Sequence, residues 1–394
     1  MAEKWYKHPN AKLIILTGIF LFAFFVPFSN PKVGSVIQEA FMMLTEYAKE
    51  HVLFCLVPAF FIAGAIMVFL NQQSVIKYLG PNANKFVAYS VASVSGAVLA
   101  VCSCTVLPLF KGIYKKGAGI GPAISFLYSG PAINILAIVL TAKVLGVELG
   151  LARAIGAVVF AFVIGLLMHL LFRKEDEKRL TDERLFQSFE DESRPLWKNA
   201  IYLFSMIGIL IFINWAPSKG QFPVWDFLFN IKYFITGAFA IILIISLILW
   251  FKKDELKEWV ITTRDFAIQI LPLLFGGVMV AGFLLGRPGH NALIPTGWII
   301  KFVGNNSLFS NFIASISGAL MYFATLTEVP IMQGLIGAGM VKGPALALLL
   351  AGPSLSLPSI LVIGGELGLK KTITYIGLVV VMSTLAGLVY GLLF

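Results

Sequence analysis

Two cysteines stand one residue apart in Val101-Cys102-Ser103-Cys104-Thr105. Thiolates ligate soft centres such as Cu(I), Zn or trivalent arsenic, so Cys102 and Cys104 are candidate ligands for a thiophilic solute or a metal. On a regular helix, residues two apart point about 200° away from each other and cannot share one centre; at a turn they can. The third cysteine, Cys55, stands alone in an apolar run and reads as a small packing residue. An odd count, all inside apolar runs, argues against a disulfide framework.

A second candidate is Glu328, the one carboxylate in the apolar stretch 308–338. An ionisable group inside such a stretch is costly, and a role in carrying a proton or balancing a solute's charge would justify it. Thr105 and Thr327 offer hydroxyls beside these groups, and each could equally bond its own helix backbone. Gly130-Pro131 and Gly352-Pro353 break two further apolar runs, with Asn134 and Ser356 three residues beyond each proline. A proline break frees carbonyls and amides that a polar solute could use, although a kink for packing needs no solute. Pro108 and Pro330 follow the Cys and Glu segments and are expected to end helix in the residues just before them. His169 and Glu366 fall near the ends of apolar runs and read as interfacial groups.

The elements that must position these residues are membrane segments. Of 394 residues, 58% are hydrophobic and 13% charged, against about 25% charged in soluble domains. The net charge of +10 sits in short loops between apolar runs, which is how topology is set in membranes; it is not read as a nucleic-acid surface. Apolar runs of spanning length cover roughly 12–29, 50–70, 119–142, 150–172, 197–216, 232–251, 265–286, 344–365 and 372–394. The first lacks a small-residue cleavage site and is expected to be a retained helix rather than a signal peptide. Stretches 36–49 and 252–264 look amphipathic and suited to the interface. The hydrophilic stretch from Arg173 to Arg194 reads as a solvated connector.

The chain repeats itself at a shift of 222 positions. Ser95-Gly96 meets Ser317-Gly318, Pro108 meets Pro330, Gly112 meets Gly334 and Gly117 meets Gly339. Gly121-Pro122 then meets Gly343-Pro344, Gly130-Pro131 meets Gly352-Pro353, and Leu145-Gly146 meets Leu367-Gly368. Glycines and prolines mark backbone geometry, so their agreement means a shared chain path. If 86–116 and 308–338 enter and leave on one side, 21 of the 30 Lys and Arg residues fall on the inside; if both cross fully, the best split is 17 to 13. The positive-inside rule favours the first arrangement. The expected fold is therefore an all-α polytopic membrane protein of inverted repeats, with about nine transmembrane helices and two re-entrant hairpins. Residues 1–172 form the first repeat, 173–231 a charged cytoplasmic connector plus linker helix, and 232–394 the second repeat. The hairpin tips fall at Cys102-Ser103-Cys104-Thr105 and Ala324-Thr325-Leu326-Thr327-Glu328, where irregular backbone needs a polar cavity.

The run Val-Cys-Ser-Cys-Thr-Val-Leu-Pro-Leu-Phe, followed by Gly-Pro-Ala-Ile-Ser-Phe-Leu-Tyr-Ser-Gly-Pro-Ala-Ile-Asn, resembles the permease family that includes the ArsP-type organoarsenical exporters. The resemblance implies export of trivalent arsenicals or, as in relatives with a Cys-rich tip, of copper or zinc, with Cys102 and Cys104 as ligands and Asn134 as a site residue. Ala324 and Leu326 stand where the second repeat would need its own cysteines, so one chain cannot build a symmetric four-thiol site. No Walker A, His-Glu-x-x-His or Gly-x-Ser-x-Gly pattern occurs. The leading expectation is a proton-coupled secondary exporter in the cell membrane whose partners are a small solute or ion and the lipid bilayer, with no cofactor. The alternatives are a carrier of small anions such as sulfur oxyanions, and a membrane enzyme or assembly factor.

Overall fold

A computed structural model describes residues 31–49, 56–69, 78–80, 83–99, 103–181, 196–215, 223–287, 302–321, 328–337 and 339–394, with a few isolated positions. Cys55, Cys102 and Thr327 lie outside the described residues, as does most of the expected span 12–29; of Cys104 and Pro330 only the backbone is described. Every regular element among the described residues is helical: α1 (Pro31–Tyr47), α2 (Val57–Phe69), α3 (Lys85–Leu99), α4 (Ser103–Lys115), α5 (Ile120–Ala132), α6 (Ile135–Val144), α7 (Val147–Thr181) and α8 (Leu196–Ile213). There follow α9 (Pro223–Trp250), α10 (Lys253–Leu285), α11 (Leu308–Leu320), α12 (Glu328–Gly337), α13 (Lys342–Ala351), α14 (Leu357–Leu367) and α15 (Leu369–Leu393).

Among the described residues four helices are long and apolar enough to cross a bilayer, within α7, α9, α10 and α15, and the bent pair α5–α6 makes a fifth if counted as one span. Their outward faces are oily: Phe234 is 82% exposed and Ile248 74%. Side chains of that kind at that exposure require lipid as the solvent. The stretch 252–264, expected to be an amphipathic piece at the interface, opens the continuous 33-residue α10. Glu255 accepts from the backbone N–H of Lys252 at 2.7 Å, which satisfies one of the free amides at the start of the helix. The stretch 36–49 lies in and just beyond α1, which packs on α10. Arg287, just past the end of α10, donates to Glu39 of α1 at 2.5 Å.

The repeat seen in the glycines governs the backbone. Helices α5, α6 and α7 start at residues 120, 135 and 147, and α13, α14 and α15 at 342, 357 and 369, each pair 222 apart. Gly117 and Gly339, at φ 100° and 110°, take the same left-handed turn, and so do Gly146 and Gly368, at φ 107° and 81°. Only glycine adopts this region without strain. Each turn at the first pair is closed by the same bond: Ala118 N–H to the Ile113 carbonyl at 3.1 Å, and Met340 N–H to the Leu335 carbonyl at 3.0 Å.

Equivalent helices run in opposite directions. Glu175, near the end of α7, pairs with Lys370 at 3.2 Å and Lys371 at 3.5 Å, at the start of α15. At the other end, Glu148 near the start of α7 pairs with Lys342 at the start of α13 at 3.1 Å. The start of α5 lies beside the end of α7, since Ile120 N–H donates to Asp176 at 2.7 Å. So α5 and α13 begin on opposite sides of the molecule. A backbone bond also joins the residue before each to a residue about 40 positions earlier. Gly119 N–H donates to the Leu79 carbonyl at 2.7 Å, and Val341 N–H to the Val303 carbonyl at 3.3 Å.

Close helix contact is repeated too. A Cβ placed on Gly165 would lie 2.9 Å from the Gly121 carbonyl oxygen, and one on Gly387 would lie 2.6 Å from the Gly343 carbonyl oxygen. Small residues let helix backbones approach in membranes, where close packing replaces the hydrophobic drive. Either Gly165→Val or Gly387→Val should destabilise by about 1–3 kcal/mol or more, because backbone cannot yield to the new methyls. Thermal unfolding of each purified variant measures it; unchanged midpoints in both would show that the contact is not tight.

Candidate functional site

The two units meet at their broken helices. Tyr128 of α5 donates its hydroxyl to the Leu350 carbonyl of α13 at 2.9 Å, and these two residues are themselves equivalents, 222 apart. A residue that touches its own counterpart lies beside the pseudo-two-fold axis relating the units. Ser354 donates to the Tyr128 carbonyl at 3.3 Å, and Tyr375 of α15 to the Ser354 carbonyl at 3.4 Å. All four residues are buried. Each of these bonds joins parts of the chain that a relative motion of the units, or of the broken helices, would rearrange.

Beside this axis is a buried ion pair. Arg153 of α7 donates from Nη2 to Glu328 Oε2 at 2.8 Å and from Nη1 to Thr141 Oγ1 at 2.8 Å. The two charged side chains are 0% and 1% exposed. Glu328 belongs to α12, which comes from the second unit. An Arg–carboxylate pair is strongest when two parallel bonds form. Here there is one. Arg153 Nε and Glu328 Oε1, both buried, have no hydrogen-bond partner among the described residues. Burying two charges costs several kcal/mol each before their attraction is counted. A half-used pair in that position is poorly suited to structure alone and well suited to exchange of partners.

Glu328 was a candidate from the sequence; Arg153 was not. Counting charges by loop puts Arg153 with the outer loops, whereas the structure buries it. The legible signal is a lone Arg within the apolar run from Leu149 to Phe172, a placement that is functional by default. Arg153 has Tyr375 as its equivalent and Glu328 has Val106, so the charge pair belongs to one half of an otherwise duplicated frame.

A second ion pair also joins the units. Lys111 of α4, 1% exposed, pairs with Glu366 of α14 and donates to Gln269 of α10 at 2.7 Å. Glu366, expected at the interface, is thus half of an inter-unit contact. It lies in the half of the molecule that holds the end of α7, because α4 runs on to Tyr114, whose carbonyl accepts from Arg179 at 2.6 Å. His169, expected to be interfacial, is buried at 4% exposure.

Asn134 and Ser356 start the helices after the two breaks. Asn134 Oδ1 accepts from Ala137 N–H and Ser356 Oγ from Ser359 N–H, both at 3.3 Å. Capping explains their spacing from the prolines. Thr105 is fully buried and Ser103 nearly so. Pro108 does not end a helix: α4 begins at Ser103 and continues through it, so the residues just before it are helical. Pro330 lies within α12, so the residues just before it are helical as well. Gly130-Pro131 lies in the last turn of α5, and Gly352 caps α13, with Pro353 following. Among the described residues no three His, Cys, Asp or Glu side chains group as a metal site.

The family profile ArsP_1, described as a predicted permease, matches residues 37–392. UPF0718 protein MJ0584 of Methanocaldococcus jannaschii is 43% identical over 362 residues, covering 91% of this chain and 97% of that protein. UPF0718 protein YraQ of Escherichia coli is 20% identical over 263 residues, 67% of this chain and 56% of that protein. No solved structure matches the chain. The matched range takes in both units, the broken helices and the Arg153–Glu328 pair, and with it this multi-pass helical membrane protein belongs to the ArsP_1 family of predicted permeases.

Proposed function

We propose that this chain is a secondary-active permease of the cell membrane that exports a small thiophilic solute, a trivalent organoarsenical or a soft metal ion, in a proton-coupled step. The observation that carries the reading is the buried Arg153–Glu328 pair, set between the units with one contact of 2.8 Å. Two like-built units running opposite ways can rock about a central site and open it to each side in turn. Residues 1–172 and 232–394 are those units, joined by the connector and linker helix of 173–231. About nine spans and re-entrant hairpins at 86–116 and 308–338 complete the arrangement, supported by the Leu79–Gly119 and Val303–Val341 bonds. Cys102 and Cys104 supply soft ligands at the first tip, and Thr105, Thr327, Asn134 and Ser356 supply polar groups around it.

Glu328 carries the coupling proton. A carboxylate whose cation sits on another element can exchange that partner for a proton as the units move. In everted vesicles, solute accumulation by the parent protein should follow an imposed pH gradient. Glu328→Gln should still bind solute, and its accumulation should no longer depend on the gradient. Accumulation that tracks the gradient as in the parent would remove Glu328 from the coupling step.

A further inference from the structure

Arg153 has the features of an anion site whose occupant is a side chain of the protein itself. Its guanidinium is 0% exposed, and its contact to Glu328 uses one nitrogen at 2.8 Å. Thr141 holds Nη1 at 2.8 Å and thereby fixes the plane of the fork. Nε and Oε1 have no partner among the described residues. The Nε–Nη2 edge, the side of the fork that best matches a two-oxygen anion, is thus only half used.

We infer that Arg153 binds a small monovalent oxyanion with a carboxylate's two-oxygen face, and that Glu328 is its tethered competitor. In the bound arrangement the anion accepts from Arg153 Nε and Nη2. Glu328 leaves the guanidinium, takes one proton from solution and donates its new O–H to the anion. Both orphaned atoms then have partners. The charge balances: cation plus carboxylate before, and cation plus anion plus neutral carboxylic acid after, so the net charge is zero in both. A site that must cross low dielectric favours such constancy, since an unpaired charge there is expensive.

The other ionisable groups on the elements packed here do not compete for these roles. Glu148 of α7 and Lys342 of α13 pair with each other and are 57% and 53% exposed. Lys143, near the end of α6, is exposed. Tyr128 and Tyr375 present hydroxyls already given to the carbonyls of Leu350 and Ser354. Arg153 is the charge that acts on Glu328. Anion binding and proton binding are therefore linked, and the anion binds more tightly as pH falls, by up to about tenfold per unit. Transport of this pair is electroneutral, and its direction follows the combined gradients of proton and anion. The inference rests on the reading that the solute path passes Arg153 and Glu328.

The full chain in lipid nanodiscs can be titrated calorimetrically with acetate and with methanesulfonate, in two buffers of different ionisation heat. The expected result is uptake of about one proton per anion bound, with affinity rising at lower pH. Glu328→Gln removes the competitor, so it should bind at least as tightly as the parent, with no proton uptake and no pH dependence. Arg153→Gln should lose binding, and Arg153→Lys, which keeps the charge but not the fork, should weaken it. The inference is overturned if the folded parent binds neither probe, if binding takes up no proton, or if Glu328→Gln keeps the parent's pH dependence. The vesicle assay separates this from the broader reading. Gradient-coupled solute transport without anion binding sinks only the anion site, and proton-linked anion binding without gradient coupling sinks only the permease mechanism.

Discussion

Arg153→Met lowers the stability of the folded protein by about 3–5 kcal/mol, the loss expected when one member of a buried ion pair is removed and the other is stranded. Glu328 is 1% exposed and its contact to Arg153 is the one ion pair it makes among the described residues. Water cannot replace the lost cation. Adding Glu328→Leu to Arg153→Met removes the stranded charge, and most of the loss should then be recovered, because two apolar side chains of similar size cost little in an apolar setting. Lys342→Met provides the contrast. Its pair with Glu148 spans 3.1 Å but is more than half exposed, and its removal should cost no more than about 1 kcal/mol. Thermal unfolding in one detergent, on all four proteins, reads the three differences. If Arg153→Met and Lys342→Met lose equally little, the pair is not buried as described. If the double variant is no better than Arg153→Met, Arg153 stabilises by packing rather than by charge.

The frame was readable because glycine and proline report backbone directly. The turns at Gly117 and Gly339, and at Gly146 and Gly368, require a conformation that other residues avoid, so their 222-residue spacing exposed the duplicated chain path. Gly165 and Gly387 carry the same spacing, but a glycine within a long apolar helix looks like any other small residue until its neighbour is known. What it meets, the backbone of Gly121 or Gly343, is a tertiary fact. The same limit hid Arg153. Periodicity locates a charge in a run, whereas burial depends on which helices cover it, and the partner lies 175 positions away. Asn134 and Ser356 stand out as a pair after each Gly-Pro, and the pattern alone does not show that they accept from Ala137 and Ser359 as helix caps; that too is a tertiary fact. The continuity of 252–264 with the apolar stretch after it was not legible either: α10 is a single helix with one polar stretch and one apolar stretch.

The second large effect concerns the cysteine pair. Cys104 lies in the first described turn of α4, and Cys102 precedes it by two residues in the sequence. Within one run of regular helix the two side chains would point apart, so a shared centre needs the chain to leave helical geometry at Cys102. Thr105 and Ser103, their neighbours, are buried, so the start of α4 faces protein rather than lipid. Soft centres bind thiolate far better than hydroxyl, and serine keeps the size of cysteine while removing that affinity. Replacing both Cys102 and Cys104 with serine should reduce resistance of a sensitive host to trivalent organoarsenicals, or to the soft metal transported, to that of cells lacking the protein. Expression and unfolding midpoint should stay as in the parent. Cys55→Ser should leave resistance intact, since a lone packing cysteine contributes volume rather than ligation. Growth across graded solute concentrations, with membrane levels of each variant measured alongside, makes the comparison. If the double variant protects the host as well as the parent does, the thiols are packing residues, and the solute must be held by oxygen and nitrogen groups such as the Arg153 fork.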